Sequence, residues 1–477
     1  MTTPAQPRPT RQQHLAALLA HLAAAAASLS AEWDKEDAAG AGGAGASRPA
    51  LPSPRACAAE RAMLAGAGRL VALVQDPRAR INTLTVAHFA ARALHVVVEA
   101  GVPALVPTGE GAAVEGLAAR TGLDAGKLRR LLRTLVAHHV FVEVEHGRFA
   151  HNEASTVLAQ DAGVRDWVLT SAMQFPAATH LPAVLRDERL GPSYSPADTA
   201  FARVHRTRGP FFAWLAGAEG RPRSPPPSSS SSSSPPRVGG MTVESEAPRI
   251  GARSWRDVFN VAMGGLSDTF YAGLEHDYPW GRVGEDGTGL VVDVGGGIGT
   301  SALQLHRLYP RLRLVVQDLP AMMAQAERYW AIEAPDALAS GQARLMEQDF
   351  FDANAVVGAH VYWVRSVCHD WSDAQLAQIL GNLAKAMGPH SRLLLGEMVM
   401  PTSCGDTAPA PVFASVFAHL ADMAMMAVTN GQERTLAEYD AVVSAAGLRV
   451  VKVWPCRGLA SVIECRKAAA AAAAAAA

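Results

Sequence analysis

The sequence predicts an α/β chain: a Rossmann-like, doubly wound sheet domain over residues 251–467, preceded by an all-α domain of winged-helix type over residues 56–216. Three observations carry this. Residues 291–300 read VVDVGGGIGT, an apolar strand run that reaches Asp293, breaks into glycines and leads into helix-forming residues. Downstream, apolar runs of strand length alternate with helical patterns as far as Cys465. Upstream, apolar residues recur at helical spacing. A strand, glycine turn and helix suit a nucleotide-like ligand, because glycine accepts positive φ and the helix N-terminus offers free N–H groups.

Taken in order, residues 1–55 read as a helix to about residue 35 and a Gly/Ala linker from Ala38 to Ala50. Arg8 and Arg11 ahead of the Ala-rich run Leu15 to Ala27 imitate a targeting peptide, but His14 and His21 interrupt it and a domain helix is the simpler reading. Helical spacing covers Ala56 to Gln75 and Thr83 to Ala100. Between Ala112 and Ala150, two helices flank the turn Thr121-Gly122-Leu123, and strands around 140–143 and 148–150 complete a winged helix-turn-helix. Lys127, Arg129, Arg130 and Arg133 would read DNA in a regulator, but in a chain with almost no net charge they are read as the solvated face of a helix whose core side is Leu128, Leu131, Leu132 and Leu135. Residues 217–250, with Pro225 to Pro227, a serine run from Ser228 to Ser234, and Pro235-Pro236, are expected to be a disordered insertion. The poly-Ala tail, 468–477, is of low complexity.

In the sheet domain, a second strand, Arg313 to Gln317, leads into Asp318, whose carboxylate could accept two hydrogen bonds from a ribose diol. The frame Gly297, Gly299 and Ala302 fits the looser dinucleotide pattern, so the glycines alone leave nicotinamide and flavin open. A helix Ala321 to Ile332 precedes strand Ala343 to Glu347, which runs into Asp349-Phe350-Phe351. Strand His360 to Val367 runs into Cys368-His369-Asp370-Trp371, and Ser372 with Gln375 forms a capping box for helix Asp373 to Met387. Strand Ser391 to Leu395 ends at Gly396-Glu397. A helix from about Pro411 to Val428, a helix capped by Thr435 and Glu438, and strands Leu448 to Val453 and Ala460 to Cys465 finish the domain. Asp318, Asp349, His369 and Glu397 are thus expected at carboxyl ends of strands, where open α/β sheets bind ligands.

Composition narrows the partners. The 477 residues carry 43 Lys plus Arg against 44 Asp plus Glu, so no global field draws the chain to nucleic acid. Five scattered cysteines without metal-ligand spacing point to reduced thiols and a cytoplasmic protein. No run of about 18 strongly apolar residues is read, so no membrane partner is expected.

The ordered series Val-Asp-Val-Gly-Gly-Gly-Ile-Gly, Val-Val-Gln-Asp-Leu-Pro, Gln-Asp-Phe-Phe, Cys-His-Asp-Trp-Ser-Asp, Gly-Glu and Gly431-Gln432-Glu433-Arg434-Thr435 resembles the S-adenosylmethionine-dependent O-methyltransferases of the caffeic acid and acetylserotonin type, in their fungal-like branch. The resemblance covers about Ala87 to Arg466. It implies a methyltransferase domain at 251–467, a dimerisation domain at 56–216, a homodimer, and methyl transfer to a small phenolic or aromatic secondary metabolite. It places Asp293, Gly295 and Gly297 at the methionine part of S-adenosylmethionine, Asp318 and Leu319 at the ribose, and Asp349 and Phe350 at the adenine. Arg365 stands where many relatives have lysine, keeping the charge but not the geometry. His369 matches the general base, and Glu397 and Glu433 match acidic residues that brace it. The insertion after Trp214-Leu215 falls where relatives run straight through.

The chemistry fits these residues. A phenol of pKa about 10 is protonated at neutral pH, so a base that takes its proton as the new bond forms is the natural aid. A carboxylate on the other imidazole nitrogen would fix the tautomer. Asp370 could join Ser372 in capping. Metal-dependent transfer would need several oxygen ligands on one cation, and the resemblance implies no metal. Met398, Met400, Met423, Met425, Met426, Phe413 and Phe417 suit either a core or a flat aromatic ligand. Two alternatives stay open: a relative that keeps the cofactor for hydroxylation or decarboxylation, and a winged-helix regulator that senses it.

Overall fold

The structure, a computed structural model, describes residues 10–40, 51–215, 217, 249–250, 253–401 and 412–468. The Gly/Ala linker after Gly40, nearly all of the Pro/Ser insertion, the loop holding Cys404 and the poly-Ala tail lie outside the described residues. Contacts divide the chain into two units, residues 1–85, 267–425 and 431–477 in one, and 86–266 with 426–430 in the other. The expected boundaries at 55 and 251 are therefore displaced. Long-range contacts tie distant stretches together within each unit. Arg61, in helix Pro54–Val74, donates to the carbonyls of Cys456, Arg457 and Gly458, and Arg457 in turn pairs with Asp277 at 2.8 Å. In the other unit, Arg253 pairs with the buried Asp166, and Gly265 lies so close to Gly163 that a Cβ on either would come within 2.6 Å of the other's backbone.

The α/β unit is a mixed sheet. Its strands are β1 (Leu290–Val294), β2 (Arg313–Asp318), β3 (Ala343–Glu347), β4 (Val361–Arg365), β5 (Arg392–Met400), β6 (Leu448–Pro455) and β7 (Ala460–Lys467). Their order is β3-β2-β1-β4-β5-β7-β6. The first five run parallel, and β7 is antiparallel to both its neighbours. Central strands of such a sheet are buried on both faces and read as continuous apolar runs. Accordingly Val291, Val316, Trp363 and Leu394 pack on one face while Val292, Val315, Tyr362, Val364 and Leu395 pack on the other. Helices Thr300–Leu308, Pro320–Glu333, Asp373–Ala386 and Leu436–Ala445 connect the strands. The last two begin with the expected capping boxes at Ser372 and Thr435.

One strand end differs from expectation. β5 runs on to Met400, and its last residues pair with the short strand Arg434–Thr435. Glu397 therefore sits inside a strand. It still lies at the carboxyl rim of the parallel sheet, because the pairing of β5 with β4 stops at Gly396 opposite Arg365.

The other unit contains helix Val114–Thr121, a turn through Gly122 at φ 73°, helix Ala125–Ala137 and the hairpin Val142–Glu145 with Arg148–Ala150. Leu128, Leu132 and Leu135 are buried as expected. Arg129 and Arg133 pair with Glu115 and Glu143 at 2.8 and 2.7 Å, which neutralises half of the basic row. The helix expected over Thr83 to Ala100 is two, Pro77–Val86 and His88–Glu99. By length and composition alone, Arg11–Ala38 and Pro77–Glu99 each contain a stretch apolar enough to cross a bilayer. Neither contains the uninterrupted run of about 18 strongly apolar residues that the sequence reading looked for, since polar and charged residues break both. The four described cysteines are free and buried.

Gly396 marks where the sheet tolerates no side chain. A Cβ there would lie 2.3 Å from the Trp363 ring, which cannot yield because its Nε1 donates to Ser301 and Trp280 packs edge-on against it. Gly396→Ala is expected to cost about 1–3 kcal/mol. Thermal unfolding would register this as a Tm lowered by roughly 2 °C or more.

Candidate active site

The glycine turn after β1 holds positive φ at Gly295, Gly297 and Gly299, at 67°, 61° and 82°. Both Gly295 and Gly296 donate their N–H groups to the carbonyl of Gln317, at 2.9 and 3.1 Å, so β2 fixes the turn. The sequence forces glycine at Gly299 for a second reason: a Cβ would meet the Trp330 indole nitrogen at 2.5 Å, where that nitrogen donates to the Ile298 carbonyl. At Gly297 a Cβ would find nothing closer than a methionine carbon at 4.0 Å, which leaves an open cradle beside the backbone. Asp318 faces it. Its two oxygens accept from Gly297 N–H at 2.8 Å and Leu319 N–H at 2.7 Å, and burial raises its pKa.

Around this turn the expected cofactor residues gather unequally. Phe350 stands against Gly295, where an added Cβ would come to 3.3 Å from its ring. Asp349 is exposed and accepts from Phe351 N–H at 2.9 Å. Asp293 is buried, accepts from Ala302 N–H, and keeps one oxygen without a partner; burial pushes its pKa up to about 7, against the opposing charge of Arg365. Arg365 lies over the Tyr271 ring at 5.2 Å, and its Nε faces Glu275 Oε1 at 3.7 Å, an ion pair too long to be a hydrogen bond. Glu275, which sequence reasoning missed, is fixed by Ser301 Oγ at 2.6 Å. The open cradle, the acidic residue at the end of β2 and the orphaned Asp293 oxygen fit a ligand with a ribose diol and a cationic amino group.

His369 occupies a 3₁₀ turn, Cys368–Asp370, beyond the end of β4. Its Nδ1 lies 2.9 Å from Glu433 Oε1 and 3.8 Å from Glu397 Oε2, and its Nε2 lies 3.9 Å from Asp370. The structure brings together all three expected catalytic residues and separates the roles of the two glutamates. Glu433 holds the ring directly. Glu397 holds the turn, because its Oε1 accepts from Val367 N–H at 2.9 Å and Cys368 N–H at 2.7 Å. Burial disfavours a charged imidazole, but Glu433, Glu397 and Asp370 outweigh it and push the His369 pKa up to about 10. Burial raises the acids as well: Asp370 to about 7, and Glu397 above its ordinary value. Asp370 takes no part in the helix cap, which Ser372 and Gln375 form.

A clamp around the turn escaped the sequence reading. Arg434 is fully buried and donates to the carbonyls of Cys368 and Trp371, both at 2.7 Å, and to Asp373 at 2.9 Å. Gln432 N–H donates to the His369 carbonyl at 2.9 Å. At Gly431 a Cβ would lie 1.9 Å from that same oxygen, so only glycine allows the approach. Asp422 accepts from Glu433 N–H at 2.8 Å. The motif letters were visible, but their contact with a turn some sixty residues earlier had no local signal. Of the methionine and aromatic cluster, Met398 and Met400 are buried with Phe417, which stacks on Phe270 at 3.9 Å; Met423 is exposed, and the Phe413 side chain lies outside the described residues.

Two predictions follow from this geometry. Arg434→Met leaves two carbonyls without their donor and is expected to destabilise the protein by about 1–3 kcal/mol for each that stays buried; urea unfolding would read the loss. Asp318→Ala is expected to weaken binding of S-adenosylhomocysteine by roughly 10- to 100-fold, the worth of hydrogen bonds to a charged acceptor, read by titration calorimetry.

Comparison with known proteins agrees with these features. Residues 285–449 match the O-methyltransferase domain family and residues 83–161 the O-methyltransferase dimerisation domain. The O-methyltransferase gedA of Aspergillus terreus is 36% identical over 463 residues, 92% of this chain and 94% of its own. Among solved structures, the mitomycin 7-O-methyltransferase MmcR is similar with a TM-score of 0.62 at 26% identity, covering 84% of this chain and 99% of its own. The fold of OxaC, solved with S-adenosylhomocysteine and oxaline, matches at a TM-score of 0.68 and 22% identity over 96% of this chain and all of its own. With the glycine turn, the acid after β2 and the buried histidine cluster in place, the chain belongs to the family of S-adenosylmethionine-dependent O-methyltransferases.

Proposed function

We infer that this enzyme methylates a hydroxyl of a small phenolic or aromatic secondary metabolite, with His369 as the general base. The observation that carries the reading is the 2.9 Å contact between His369 Nδ1 and Glu433, which leaves Nε2 as the ring nitrogen free to meet an acceptor. The bound cofactor supplies an electrophilic methyl group. The protein's task is then to bring an oxygen into line behind it and to manage one proton.

The carboxylates around His369 suit that task. An ordinary imidazolium, near pKa 6.5, would leave removal of a proton from a phenol near 10 uphill on the order of 5 kcal/mol. Raising His369 to about 10 closes most of this gap. The cost is that the resting ring holds both protons. For a neutral hydroxyl to bind, the Nε2 proton must leave. Its departure costs about what the raised basicity gained, and Asp370, 3.9 Å from Nε2, is the closest carboxylate to take it. Glu433 then keeps the remaining proton on Nδ1, and Nε2 receives the acceptor's proton as its oxygen takes the methyl group. Asp318 and the glycine turn hold the cofactor, and Arg434 and Glu397 keep the histidine turn in place. The match of residues 83–161 to a dimerisation domain supports a homodimer.

The test is transfer from labelled S-adenosylmethionine to a panel of phenols. His369→Ala is expected to lower kcat by about 10² to 10⁴ with cofactor affinity preserved. An unchanged rate in the variant would remove His369 from the chemistry. A wild type that binds cofactor and methylates no phenol would instead favour a relative turned to other chemistry.

A further inference from the structure

The histidine cluster contains two carboxylate oxygens that nothing satisfies. Glu397 Oε2 and Glu433 Oε2 are buried and have no hydrogen-bond partner among the described residues, while each residue's Oε1 is engaged. Both side chains are closed to solvent, at 0% and 1% exposure, and His369 is nearly so at 13%. A buried, unpartnered carboxylate oxygen is costly, and here one of the two, Glu397 Oε2, stands 3.8 Å from the imidazole Nδ1 that Glu433 holds through its Oε1. One donor atom from each of His369, Glu397 and Glu433 lies within 4.8 Å of the others.

We propose that His369, Glu397 and Glu433 form an inhibitory binding site for a late first-row divalent cation such as zinc. The donor set decides the class. One imidazole nitrogen and two carboxylates supply three ligands, leaving a fourth position for water, the arrangement tetrahedral zinc accepts at about 2.0–2.2 Å. Magnesium and calcium prefer six or more oxygens and do not suit it. Modest side-chain rotations bring the donors in, since Glu397 Oε2 already stands 3.8 Å from Nδ1. Glu397 Oε1 keeps its two backbone N–H partners while Oε2 turns to the ion.

The consequence for catalysis follows from which nitrogen is taken. The ion displaces the proton from Nδ1, the nitrogen beside both glutamates, and that proton goes to solvent. A ring held at Nδ1 by a metal keeps its remaining proton on Nε2 and has no lone pair to receive one from the acceptor. The site is therefore inhibitory and differs from a catalytic metal centre. It lies behind the ring, so transfer slows without the acceptor being displaced. This last step rests on His369 being the base.

The experiment uses chelator-treated full-length enzyme and zinc chloride, with bound metal measured by equilibrium dialysis. Wild type is compared with Glu397→Gln and Glu433→Gln, and S-adenosylhomocysteine binding shows that each protein is folded. Expected are one zinc held by the wild type beyond any common to all three proteins, an affinity for it lowered at least about tenfold in each variant, no uptake of magnesium, and a zinc-dependent fall in wild-type kcat with the acceptor KM unchanged. Equal zinc binding by all three folded proteins would overturn the site. Zinc held only by the wild type, with kcat undiminished, would leave the site standing and remove His369 as the base.

Discussion

Glu397 is the residue on which this site turns. A carboxylate inside a β-strand, fully enclosed, carries a desolvation cost of several kcal/mol unless something answers its charge. Two backbone N–H groups of the turn after β4 do so, and a hydrogen bond from a neutral donor to a charged acceptor is among the stronger ones available. The same bonds fix where Val367 and Cys368 lie and hence where His369 begins. Arg434 grips the other side of that turn through the carbonyls of Cys368 and Trp371, so the short segment is held by its donors on one side and its acceptors on the other. The imidazole is thus delivered by main-chain geometry before its own side-chain contacts are counted.

That construction explains how three acids can crowd one base. Each would be unfavourable alone; together they share a positive ring whose pKa their charges raise, while burial first, and the neighbouring acids after it, raise the pKa values of Asp370 and Glu397. The cluster behaves as one proton store with several sites. Preorganised charge of this kind is set at folding, so no reorganisation is needed when the acceptor binds.

The parts legible in sequence were those with a local signature. A strand run breaking into glycines, an acid closing the next strand and a histidine just past the fourth each announce themselves within ten residues, and the structure places Gly297, Asp318 and His369 accordingly. Glu433 was named, but its direct grip on His369 spans 64 positions and could not be told from that of Glu397. β5 was cut short because Gly396 and a charged residue read as a strand end, although burial and two N–H groups let the strand continue. Arg434 and Glu275 were invisible because a buried charge is recognised only by what surrounds it. Composition marks linkers, while the contact units are set by contacts between distant stretches of chain, those of Arg61 and Arg253 among them.

Arg61 has a consequence for how the chain is made. Its carbonyl partners lie 395–397 positions further on, in the turn between β6 and β7. On a ribosome moving at about 5–20 residues per second, the early helices emerge at least roughly 20 s before the surface they bind exists. Through that interval the Ala-rich early helices stand without this surface, so their last polar contacts wait for the turn that completes the sheet edge.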